Sequence, residues 1–175
     1  MLTHSPAETR ALGRQLAQSL QAGDVLLLWG DLGAGKSELT RGIAEGLGVP
    51  STVTSPSFTI LNVYDEGSIP LYHFDWYRLN GVDELYEMGM DEYLGGDGVA
   101  VVEWPSQCPA AIPETHLAVH LTPVGTANGR LPSPRWGSSA ILRLSEVGFT
   151  RRATAINHDR GAKPIPRSCA GEWAE

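Results

Sequence analysis

The chain has 175 residues, 42% of them hydrophobic and 19% charged, with a formal net charge of −7. That is the composition of one globular domain with room for a core, and it excludes a disordered chain. No apolar run nears the roughly 18 residues of a membrane span, and an acidic body argues against a broad footprint on a nucleic-acid backbone.

From the N-terminus, Ser5-Pro6-Ala7-Glu8 opens a predicted helix. Ser5 can cap it, Pro6 suits the first helical position and Glu8 completes a capping box. Leu12, Leu16 and Leu20 then form a core-facing stripe, and Gly23 reads as the stop. "DVLLLWG" is the apolar run of a strand buried on both faces. A Gly-rich turn follows it, then a second helix with Leu39, Ile43 and Leu47 on one side, ended by Gly48 and Pro50. "FTILNVY" and "LYHFDWY", separated by the turn residues "DEGSIP", predict an antiparallel hairpin. "GVDELYEMGMDEYLGG" reads as two short helices broken at Gly89, and "GVAVVEW" as another buried strand. "HLAVHL" and "AILRLSE" alternate as strands around the Pro/Gly-rich loop of residues 122–139. Helices alternating with buried strands predict an α/β three-layer domain whose sheet is mixed and mostly parallel. A single folded domain is expected over 1–149, with a mobile tail over 150–175, where the apolar pattern fades.

Residues 1–149 carry 8 Lys/Arg against 17 Asp/Glu, and residues 150–175 carry 5 against 3. The acidic part would permit docking to a basic protein, although solubility alone explains it equally. Cys108 and Cys169 form neither a disulfide framework nor a metal pattern and read as plain thiols. "MLTHSPAETR" lacks the apolar core of a signal peptide, so a cytoplasmic protein without membrane attachment is expected.

Gly30-Asp31-Leu32-Gly33-Ala34-Gly35-Lys36-Ser37 fits the phosphate-loop pattern G-x-x-x-x-G-K-[ST] between a strand and a helix. Gly33 and Gly35 permit backbone angles closed to other residues, so N–H groups from Asp31 through Glu38 can turn inward on phosphate oxygens. The helix start adds free N–H groups and its dipole. Lys36 supplies a charge for the β- and γ-phosphates, and Ser37 a hydroxyl for Mg²⁺. Lysine is otherwise scarce: only Lys36 and Lys163 occur, against 11 Arg. A base-reading N-K-x-D motif for GTP is lacking at "NGVDE", residues 80–84, so ATP/ADP is preferred.

Two acids end apolar strands. Glu103 closes "VAVVE" and Asp75 closes "LYHFD", and in such sheets the strand C-termini converge on the ligand crevice. Either carboxylate can hold Mg²⁺, hold one of its waters or orient an attacking water; either can equally be a solvated strand end. His73 and Asp75 share one strand face, and Phe74 and Trp76 the other. His73 reads equally as a packed, hydrogen-bonded residue or as part of the site. Arg78 can pair with an acid or place a charge on the γ-phosphate, with the structural role favoured. "TSPSF", residues 54–58, is either a turn or a segment ordered by ATP and released on hydrolysis.

In series, "GDLGAGKS", "SPSFT", "HFDWYRL", "EYL" and "VVEWP" resemble the TsaE family of bacterial P-loop ATPases, which serve threonylcarbamoyladenosine modification of tRNA. The resemblance covers roughly residues 5–113. It implies a slow intrinsic ATPase that resets a complex of TsaD- and TsaB-type partners between turnovers, with tRNA engaged indirectly. It also implies that Lys36 and Ser37 hold phosphate and Mg²⁺, that Glu103 binds Mg²⁺, and that Asp75 is the acid tied to hydrolysis. Thr9 would lie near the nucleotide base and Trp104 beside the site. A small-molecule kinase with Asp75 as base, and a nucleotide-dependent binding switch, remain as alternatives. Glu38 departs from the family, which usually has a second hydroxyl there. Its N–H is expected to serve the ligand while its carboxylate turns to solvent in the first helical turn, where acids are favoured.

Overall fold

The computed structural model describes residues 1–123 and 140–147. In chain order these form β1 (Leu2–Thr3), α1 (Pro6–Ala17), β2 (Val25–Trp29), α2 (Lys36–Gly46), β3 (Leu61–Tyr64), β4 (Leu71–Asp75), α3 (Val82–Glu87), β5 (Val99–Glu103), β6 (His116–Pro123) and β7 (Ala140–Val147). Short 3₁₀ turns lie at Met90–Tyr93, Pro105–Gln107 and Pro109–Ala111. The seven strands form one sheet in the order β1-β7-β6-β2-β5-β4-β3. β6, β2, β5 and β4 are mutually parallel, whereas β7 and β3 run against them. β1 is antiparallel to β7 and so shares the majority direction. The mixed, mostly parallel α/β sheet expected from the sequence is therefore present.

The central strands are buried on both faces, which explains their unbroken apolar runs. Alternate residues serve different cores. Leu26 and Leu28 pack with Leu39 and Ile43 of α2, while Val25 and Leu27 pack with Phe74, Trp76, Leu85 and Cys108 on the opposite face. Burying each Leu or Ile contributes about 1.5–3 kcal/mol. Cys108 is a buried free thiol, as its spacing suggested. Residues 124–139, the tail over 150–175 and Cys169 lie outside the described residues.

α1 begins as expected. The Ser5 hydroxyl accepts the Glu8 N–H at 3.2 Å, and Pro6 is the first helical residue. The Glu8 carboxylate accepts from the His4 N–H at 2.7 Å, one residue before the usual capping-box partner. The helix stops well before Gly23: Gln18, Ser19 and Leu20 donate to carbonyls three residues back, which tightens the end at Ala17. Gly23, at φ +91, serves the next turn and donates to Gly98 O. β1, at two residues, is too short to show a readable alternation.

α1 and α2 approach until their backbones touch. A Cβ on Gly42 would fall 2.1 Å from the Arg10 carbonyl oxygen, and one on Gly13 2.4 Å from that of Leu39. Backbone atoms cannot swing aside, so only glycine allows this spacing. The contact matters for the site because α2 begins in the phosphate loop. Gly42→Ala is expected to lower the unfolding free energy by about 1–3 kcal/mol in urea titration; an unchanged midpoint would mean that the helices separate at little cost.

Candidate nucleotide site

The loop between β2 and α2 has the backbone its glycines predict. Gly30, Gly33 and Gly35 stand at φ +148, +79 and +102. Gly30 is additionally confined, since a Cβ there would lie 2.5 Å from Leu121 O on the neighbouring β6. Asp31, Leu32 and Gly33 are exposed at the crest, while Ala34 is buried beneath. Lys36 is the first residue of α2 and is buried. Its ammonium donates to Gly30 O at 2.7 Å and Asp31 O at 3.0 Å, and lies 3.8 Å from the centre of the Trp104 ring. Burial pushes the Lys36 amine below its ordinary pKa, while Glu103, Asp75 and Asp31 pull the other way. Ser37 follows in the first turn, half-buried.

The two strand-end acids are brought together. In the parallel pair β4/β5, Asp75 is the register partner of Glu103, and Leu28 of β2 is the partner of Glu103 on its other side. Both carboxylates are almost fully buried. His73 Nε2 lies 2.9 Å from Glu103 Oε1. Asp75 Oδ1 accepts the Tyr77 N–H at 3.0 Å, and Oδ2 accepts the Ser57 hydroxyl at 2.6 Å. Ser55 lies 2.9 Å from Ser57, oxygen to oxygen. The "TSPSF" segment is therefore latched to the acid, a link that residue types alone did not disclose.

Backbone strain gathers around this edge. Among the described residues, Ile60 and Trp104 are the positive-φ non-glycine residues, at +66 and +60. Such conformations cost of order 1–3 kcal/mol and persist where the surroundings enforce them. Ile60 turns so that its N–H reaches Pro56 O at 2.7 Å while its carbonyl accepts the Asp75 N–H at 2.9 Å. Trp104 follows Glu103 directly, and its turn lays the indole over Lys36 and within 5.0 Å of the Tyr77 ring, centre to centre. Arg78 does not sit on the acids; its guanidinium lies 4.3 Å from the centre of the exposed Phe58 ring. Thr9 is buried on α1 with its methyl toward Gly35, and its hydroxyl is 2.9 Å from that of Thr3.

Glu38 corrects an expectation. Its carboxylate does not turn to solvent; it is buried between two guanidinium groups. Arg10 of α1 donates to Oε2 through Nε at 3.1 Å and Nη2 at 2.7 Å, and Arg41 donates to Oε1. The reason is the glycine-tight packing of α1 on α2, which turns this face of the first α2 turn onto the neighbouring helix. Pairing with Glu38 raises the Arg10 pKa. Arg41 also donates to Val53 O at 3.0 Å, which ties α2 to the segment before Ser55. Arg10 was not singled out from sequence, because a partner on another helix leaves no local signal; Arg41 stands three residues after Glu38 on α2, a spacing at which the two side chains meet.

Ser37, Asp75 and Glu103 can complete an ion bound to phosphate but cannot enclose one. Among the described residues no group of three or more His, Cys, Asp or Glu is placed to hold a metal. A hydroxyl and one or two carboxylates suit Mg²⁺, which keeps waters and takes phosphate oxygens as further ligands.

A Gly-rich loop leading from a buried parallel strand into a helix, beside two strand-end acids, defines the P-loop nucleotide-binding fold. The profile of the family described as "Threonylcarbamoyl adenosine biosynthesis protein TsaE" matches residues 3–130. The chain is 45% identical over 123 residues to the tRNA threonylcarbamoyladenosine biosynthesis protein TsaE of Bacillus subtilis, covering 70% of this chain and 77% of that one. The Treponema pallidum protein of the same name is 35% identical over 127 residues, covering 73% and 93%. The crystal structure of Bacillus subtilis YdiB superposes with a TM-score of 0.68 at 36% identity, over 85% of this chain and 84% of that one. The chain belongs to the TsaE family, whose role lies in threonylcarbamoyladenosine biosynthesis. Among the described residues no helix is long and apolar enough to cross a membrane.

Glu38→Thr is expected to lower unfolding stability by roughly 1–3 kcal/mol, between the values for surface and buried pairs. Calorimetric titration should find ATP affinity close to that of the unaltered chain. A gain of about a hundred-fold would mean that the carboxylate reaches the phosphate position.

Proposed function

We propose that the chain is the ATP-binding and slowly ATP-hydrolysing component of the machinery that makes threonylcarbamoyladenosine in tRNA. Partner proteins of the TsaD and TsaB type activate it, and its hydrolysis resets their complex between turnovers. It works in the cytoplasm and meets tRNA through those partners. The observation that carries the ATPase reading is the meeting of Lys36, Asp75 and Glu103 at one edge of the sheet, at the C-terminal ends of β2, β4 and β5.

On this reading the loop amides from Asp31 to Glu38 cradle the phosphates, with Thr9 beside the base. The Lys36 ammonium now spends its donors on Gly30 and Asp31 carbonyls, and it exchanges them for phosphate oxygens when nucleotide enters. Ser37 and Glu103 would hold Mg²⁺, whose contribution would be positive charge beside the transferred phosphoryl group. Asp75 orients the attacking water. Its two oxygens accept from Ser57 and Tyr77, and a carboxylate retains further lone pairs for a water proton. Trp104 covers the lysine and shields it from bulk solvent. The Ser57 contact supports a response of the "TSPSF" segment to nucleotide state, because hydrolysis chemistry and that segment share one carboxylate.

Lys36→Ala is expected to lose nucleotide binding in a calorimetric titration. Asp75→Ala should bind ATP nearly as well as the unaltered chain but hydrolyse it about 100-fold more slowly; unchanged turnover would remove Asp75 from the chemistry. ATP turnover measured alone, with TsaD- and TsaB-type partners, and with candidate hydroxyl acceptors decides the reaction class. Strong stimulation by the partners is expected. Phosphate appearing on an acceptor would indicate a kinase, and partner binding that follows nucleotide state without turnover would indicate a switch.

A further inference from the structure

We propose that His73 is a positioning residue that holds the Glu103 carboxylate in the orientation needed for Mg²⁺; this rests on the reading of Glu103 as a metal anchor. His73 lies within β4 and is fully buried, and Glu103 ends the adjacent parallel strand β5. The register pairs His73 with Val101 and Asp75 with Glu103, so His73 is the diagonal neighbour of Glu103 on the same sheet face. The imidazole Nε2 is 2.9 Å from Glu103 Oε1. An ionised carboxylate only accepts, so the shared proton sits on Nε2.

The other ring nitrogen decides between a packing role and a positioning role. His73 Nδ1 is buried and has no hydrogen-bond partner among the described residues. A residue needed only to fill this space would be cheaper as an apolar side chain, because a buried polar atom left unpaired is costly. The feature that an apolar residue would lack is the Nε2 contact to Glu103. With Oε1 held by that bond, Oε2 keeps its acceptor capacity for the ion or one of its waters. Asp75 is served separately by Ser57 and Tyr77, so the two acids have independent supports. Groups that orient a metal ligand in this way typically govern metal affinity by 10–100-fold.

The test is a Mg²⁺ titration of a fluorescent ADP analogue bound to the protein, read as the Mg²⁺ concentration at half-maximal response. Metal-free analogue affinity and thermal unfolding are measured alongside. His73→Leu is expected to raise the Mg²⁺ requirement about tenfold while metal-free affinity stays unchanged. His73→Gln, whose amide N–H can reach the former Nε2 position, should recover most of the loss. His73→Asn, which places its amide nearer the former Nδ1, should not. If His73→Leu folds poorly, the Gln and Asn pair still decides the matter, and equal Mg²⁺ requirements for those two would overturn the proposal. So would an unaltered requirement in a folded His73→Leu protein. Glu103→Gln is run in parallel. If it leaves the Mg²⁺ requirement unchanged, the assignment of Glu103 to the metal fails. If it raises the requirement while His73→Leu does not, only the role of His73 fails.

Discussion

The parallel register that sets Asp75 opposite Glu103 governs everything at the working edge of this sheet. Two carboxylates on adjacent strands, both nearly buried, repel each other and lose hydration. The fold offsets this from three directions. Lys36 adds a positive charge from the loop, His73 donates to Glu103, and Ser57 and the Tyr77 amide donate to Asp75. A one-residue slip would turn one acid to the opposite face and into the apolar cluster around Trp76 and Val102. The register of β4 on β5 therefore fixes the placement of the two acids as firmly as it fixes the core.

A second layer of constraint holds the loop itself. Gly13 and Gly42 bring α1 into backbone contact with α2. That closeness places Arg10 on Glu38 and Thr9 beside Gly35. Arg41 extends the network from Glu38 to Val53, close to the segment whose Ser57 holds Asp75. The phosphate loop, the opening helix and the "TSPSF" segment are thus joined by hydrogen bonds to charged groups, which are stronger than neutral ones.

Much of this was legible in the residues. The buried runs of β2 and β5 and the hairpin of β3 and β4 follow from pattern and turn chemistry. The glycines of the loop announced its positive φ angles, and Asp75 and Glu103 announced themselves as acids closing apolar strands. What the sequence hid was pairing across distance. The local rule that acids suit a first helical turn sends Glu38 to solvent, and Arg10 of the neighbouring helix overrides it, whereas Arg41 pairs with Glu38 at a spacing readable within α2 itself. The end of α1 was read from Gly23, whereas backbone bonds to carbonyls three residues back closed it earlier. The left-handed backbones of Ile60 and Trp104 had no local signal, because neither residue type favours them.

The account stands most directly on a structure of the protein with Mg²⁺ and a non-hydrolysable ATP analogue. It predicts the Lys36 ammonium moved from the Gly30 and Asp31 carbonyls onto phosphate oxygens. It also predicts Mg²⁺ at about 2.0–2.1 Å from the Ser37 hydroxyl, with Glu103 as a direct or water-linked ligand. A nucleotide bound elsewhere, or bound at the loop while Lys36 keeps its carbonyl contacts and the ion ignores Ser37 and Glu103, would contradict it.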